Sequence, residues 1–137
     1  MFYDRTKPFK KDIPYSKEFK SVKEIIIPEA YIIPRGFWPV IELLKSNTIS
    51  YRQLKNDTII EVESYKIADF KTTSSAYEGH YLHRNTSVTA KMEKVAFAKG
   101  DYVIPTQQKG IKYLLETLEP EAIDSFFNWN FFDTMLQ

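Results

Sequence analysis

The sequence predicts an α+β fold, a mostly antiparallel β-sheet or sandwich with two or three short helices at one side. Five or six short runs are rich in β-branched residues or alternate apolar with polar positions. Two other segments carry apolar residues at helical spacing. A length of 137 residues is that of one domain with a single core of ordinary stability.

The first 23 residues read as a lead-in, and residues 24–137 as the domain proper. Arg5, Lys7, Lys10, Lys11, Lys17, Lys20 and Lys23 face only Asp4, Asp12 and Glu18, while Pro8 and Pro14 interrupt any regular element. Such a segment is a solvated linker, or a basic arm for an acidic partner. Residues 24–28 and 30–34 are two β-branched runs that each end in proline, which suits strands at an edge or a bend. Residues 37–46 are the best helix. Pro39 fits the first turn, Phe37, Val40, Ile41 and Leu44 share a face, and Asn47 is a stop.

Residues 58–69 alternate. Ile60, Val62 and Ser64 take one face and Glu61 and Glu63 the other, before a phase change brings Tyr65 and Ile67 inward, with a bulge expected near Ser64. A polar loop over 71–76 precedes two further strands, 77–82 and 86–97, joined by a turn at Arg84 and Asn85. Gly100 and Asp101 form a turn before a strand at 102–105. Gly110 opens a helix with Ile111, Leu114, Leu115 and Leu118 on one side, Pro120 ends it, and 120–127 can start a second short helix.

Composition removes several classes of function. The formal net charge of +1 argues against an electrostatic nucleic-acid or membrane-surface binder. Without cysteine there is no disulfide, thiolate nucleophile or thiolate metal site. No apolar run is long enough to cross a membrane, and no signal-peptide core is present; an exported protein would carry its signal outside this chain.

Three constellations could carry chemistry. His80 and His83 have an H-x-x-H spacing, which joins two imidazoles on a helix but sets them on opposite faces of a strand. Gly79 and the aromatic flanks favour strand or turn. With no third histidine and no cysteine, the pair is a weak candidate for metal, and hydrogen-bonded histidines in a sheet are the expectation. Glu78 and His80 could share a strand face as an orienter and a base. Glu116, Glu119, Glu121 and Asp124 suit helix-end charges and hydrogen-bond acceptors better than paired catalytic carboxylates.

The third constellation is the aromatic run Phe126, Phe127, Trp129, Phe131 and Phe132, interrupted by Asn128 and Asn130. Each ring can bury roughly 150–250 Å², so the run serves a core, a docking face or a stacking platform. Phenylalanine dominates it, which favours core or inter-domain packing over a platform for sugar rings.

Taken together, residues 28–44, 77–83, 99–104 and 115–133 resemble the C-terminal region of a bacterial, Bacteroidota-type group of M14-class zinc carboxypeptidases, over roughly residues 24–137. The resemblance implies an upstream peptidase domain carrying zinc on an H-x-x-E plus His set, together with the catalytic glutamate. None of these motifs occurs here, so no catalytic residue and no cofactor is assigned to this chain. The implied role is a non-catalytic C-terminal accessory domain whose partner is that peptidase domain in cis. Trp38, Phe126, Phe127, Trp129, Phe131 and Phe132 are the docking or binding candidates. The rival from another class is a carbohydrate or cell-surface binding module using Trp129, Trp38 and nearby tyrosines. A third is an independent enzyme using Glu78, His80 and the acidic cluster.

Overall fold

The computed structural model describes residues 6–20 and 23–136. Of the basic lead-in, Asp4 and Arg5 lie outside the described residues, while residues 6–20 form no helix or strand and are exposed. The fold is α+β with antiparallel pairing throughout, divided into a small sheet and a long two-stranded ribbon.

The small sheet has the order β1 (Ala30–Ile33), β5 (Tyr102–Pro105), β2 (Arg52–Gln53). The run at 24–28 is not a strand. Its isoleucines meet no ladder partner, and β propensity without cross-strand contacts does not order a chain. Helix α1 (Trp38–Ser46) follows a short 3₁₀ turn at Arg35–Phe37, has Pro39 in its first turn and is capped at Asn47. Its buried residues Val40, Ile41 and Leu44 meet Ile33, Ile49, Ile104, Leu114 and Phe126 in the core. Helix α2 (Ile111–Leu118) contributes Leu114 and ends where Glu119 turns extended before Pro120. Among the described residues no helix is long and apolar enough to cross a membrane.

Two close joints hold the sheet to the helices. The buried Asp101 carboxylate accepts from the Arg35 amide at 2.9 Å and the Ala98 amide at 2.8 Å, tying the turn at Gly100 to the end of β1. Gly110 caps α2 with φ +88°, and a Cβ there would lie 2.7 Å from Ile49 Cδ1. The backbone angle favours glycine there, and an added methyl would also have to displace the end of the Ile49 side chain.

The ribbon pairs β3 (Thr58–Thr72) with β4 (His83–Phe97), fifteen residues each. Ile60, Val62 and Ser64 alternate as expected, but the bulge lies between Ile67 and Lys71 rather than near Ser64. Tyr65 stays 40% exposed. The turn expected at Arg84 and Asn85 is absorbed into β4, where Asn85 takes a φ of +54° within the paired strand. Residues 77–82 are not a strand either. Tyr77 and His80 exchange two 2.9 Å backbone hydrogen bonds around Glu78 and Gly79, both at positive φ, a two-residue reversal.

Candidate functional site

The last constellation begins where a helix was expected. Pro120 and the side chains of Ser125 and Asn128 replace the α-helical pattern over 120–132 with a series of turns, because short polar side chains offer backbone groups local alternatives. Ser125, fully buried, donates to the Pro120 carbonyl at 3.0 Å and accepts from the Asn128 amide at 3.1 Å. Asn128 donates to the carbonyls of Ala122 at 2.8 Å and Ile123 at 3.3 Å, and accepts from the Thr86 hydroxyl at 2.6 Å. Its own carbonyl receives the His83 amide at 2.9 Å. The segment is thereby fastened to the first residues of β4.

Fixed in this way, the five rings meet neighbours within the chain. Phe126 is a core residue and meets Phe131 edge-on at 5.2 Å; Phe132 meets Phe37 at 5.0 Å. Phe127 is buried against Phe70 and His83, and Trp129 leans on Tyr77 and His80. The run is mostly internal packing. Trp38, on the first turn of α1, is apart from it and 62% exposed.

The two histidines have different environments. The His80 ring lies among aromatic rings, 5.5 Å from Trp129 and stacked at 6.2 Å on Phe131. His83 is buried at the mouth of the ribbon. Its Nδ1 is 3.0 Å from Thr72 Oγ1, and its Nε2 is 3.0 Å from Asp133 Oδ1 and 3.2 Å from Asn130 Nδ2. A tautomer protonated at Nε2 donates to Asp133 while Thr72 donates to Nδ1, which satisfies the ring. Hydroxyl, imidazole and carboxylate thus stand in line. Here they bolt β3, β4 and the C-terminal turns together, with Phe70 and Phe127 against the imidazole. Glu78 sits exposed in the two-residue reversal and so shares no strand face with His80. Among the described residues no group of three or more His, Asp or Glu side chains converges as a metal site would.

The acidic cluster is dispersed. Glu116 and Asp124 are exposed. Glu119, 7% exposed, accepts from the Tyr31 hydroxyl and stands beside Tyr65. Burial, then the hydrogen bond to Glu119 and its charge, push the Tyr31 phenol far up. Burial and the Glu119 charge push Tyr65 up to about 12. Glu121 accepts from the Val88 amide at 3.1 Å and ion-pairs with Lys23. Lys23, Ile25, Ile26, Tyr65, Glu119 and Glu121 border a groove of about 290 Å³ under the ribbon. Sequence reasoning missed this joint, since Tyr31 and Glu119 are 88 residues apart.

Comparison with known proteins gives one consistent result. The chain is 28% identical over 101 residues to proteins named Carboxypeptidase 2 from Trichophyton tonsurans, Trichophyton rubrum and Trichophyton equinum. The chain is similar to a region of carboxypeptidases. The stretch covers 72% of this chain and 18% of each relative, so the chain spans under a fifth of their length. All three relatives are fungal, whereas the sequence motifs resembled a bacterial group. No protein-family model matches the chain, and no solved structure matches it.

Proposed function

We propose that this chain is a non-catalytic accessory region of an M14-like zinc carboxypeptidase, which packs on, or shapes access to, a peptidase domain upstream of it. The observation that carries this reading is the similarity to 18% of Carboxypeptidase 2 across 72% of the chain. The local chemistry supports it. His83, Glu119 and Glu121 hold secondary-structure elements together, and the aromatic run fills the interior. In this reading the zinc belongs to the upstream domain, and these 137 residues contribute shape and stability.

The test compares the full-length protein with this chain alone. The full-length protein, loaded with zinc, is expected to release C-terminal residues from peptides and to lose that activity on chelation. The 137-residue chain is expected to hydrolyse no peptide and to retain no zinc after dialysis. Stoichiometric zinc or unaided hydrolysis in the isolated chain would overturn the assignment.

A further inference from the structure

Opposite charges facing each other across a β-ribbon stabilise it, and like charges directly opposite weaken it. Where β3 ends and β4 begins, the register sets Lys71 opposite Arg84. Both are exposed, and among the described residues neither forms an ion pair. Asp69 accepts from the Phe70 amide, Asp133 faces His83, and Glu78 lies in the two-residue reversal. Thr72 and His83, the next pair along, belong to the other face and to the joint with Asp133. Two cations thus share one face with no carboxylate of the described chain to balance them.

Arg84 also borders a cavity of about 300 Å³, whose other walls are Thr73, Ser75, Ala76, Tyr77 and Leu82. Hydrogen bonds fix the loop that forms it. The Thr73 amide donates to the Leu82 carbonyl at 3.0 Å, and the Thr73 hydroxyl donates to the Ser75 carbonyl at 3.1 Å. Tyr77 is held by its two bonds with His80 and by Trp129. A register shift between Asp69 and Lys71, and Asn85 at φ +54°, flank the two cations. Such irregularities re-aim side chains and recur beside binding sites. The cavity therefore joins a forked set of cationic donors and hydroxyls to an apolar wall of Ala76, Leu82 and the Tyr77 ring. Small-molecule sites have this make-up, with a few polar groups orienting a ligand against apolar surface.

We propose that this cavity binds a carboxylate carried on a short apolar stem. Arg84 grips the carboxylate, Lys71 adds charge at the rim, and Ala76, Leu82 and Tyr77 receive the stem. A guanidinium matches a carboxylate in one plane through two parallel hydrogen bonds, which a lysine does not reproduce. The bound anion also offsets the repulsion between Lys71 and Arg84. Such a carboxylate belongs either to a free small acid or to a peptide C-terminus.

Amide NMR titration of the chain tests the proposal, with N-acetylleucine, its uncharged amide, inorganic phosphate and a tripeptide ending in leucine as probes. N-acetylleucine is expected to give saturable shifts at Thr73, Ser75, Tyr77 and Arg84, and its amide to bind about tenfold or more weakly. Arg84→Gln is expected to weaken N-acetylleucine about tenfold or more, and Arg84→Lys to restore only part of that loss. Lys71→Gln is expected to weaken binding several-fold without lowering the melting temperature, since it relieves a like-charge pair. Lys94→Gln, toward the other end of β4, is expected to change nothing. Tighter binding of the tripeptide than of N-acetylleucine assigns the site to peptide C-termini, and equal binding assigns it to free small acids. Absence of saturation, equal binding of the acid and its amide, or phosphate binding more tightly than N-acetylleucine overturns the proposal. So does unchanged binding in folded Arg84→Gln and Lys71→Gln variants.

Discussion

Tyr31, Tyr65 and Glu119 form a joint whose strength depends on pH. Both phenols have folded-state pKa values raised above 10.0, Tyr65 to about 12, with burial as the leading cause. A raised tyrosine pKa means that the fold favours the neutral phenol, so its contribution is complete below pH 10 and declines as pH climbs through 12. Alkaline unfolding between pH 10 and 12 is therefore expected to be steeper in the native chain than in the Tyr31→Phe, Tyr65→Phe double variant, as followed by circular dichroism. At Gly110 the constraint is steric. Gly110→Ala faces a φ of +88° and a 2.7 Å approach to Ile49, and is expected to cost about 1–3 kcal/mol in denaturant unfolding.

Among the elements, the turns at 120–132 do most to join the rest. Phe126 lies in the core with Leu44, Ile104 and Leu114, so Phe126→Ala is expected to lose about 3–5 kcal/mol. Trp38→Ala, at a site 62% exposed, is expected to stay within about 0.5 kcal/mol. A melting series on the two variants separates internal packing from surface. Asn128→Ala removes side-chain bonds to Thr86, Ala122 and Ile123 and leaves the first residues of β4 less firmly tied. About 1–3 kcal/mol is the expected loss, with faster amide exchange at His83 as the local sign.

For the molecule as a whole, the lead-in is expected to contribute little to the stability of the fold. Residues 6–20 form no regular element and are exposed, so deletion of residues 1–20 is expected to leave the circular dichroism spectrum and the melting temperature of the chain unchanged. A drop of several degrees would show that the lead-in packs on the fold.

Local chemistry made α1, α2, β1, β5 and the alternating half of β3 legible in advance. A proline in a first turn, an i, i+3, i+4 stripe, a glycine before a helix and period-two alternation each act within a few residues. Residues 24–28 misled because isoleucine propensity needs a ladder partner, and none meets them. Residues 77–82 misled because Glu78 accepts a positive φ in a two-residue reversal, and 120–127 because Ser125 and Asn128 outcompete helical hydrogen bonds. Which rings are interior, that His83 meets Asp133 fifty residues away, and that Glu119 sits under Tyr31 were settled only by folding. Such pairings depend on how distant segments come together in space, and no short window of sequence contains both partners.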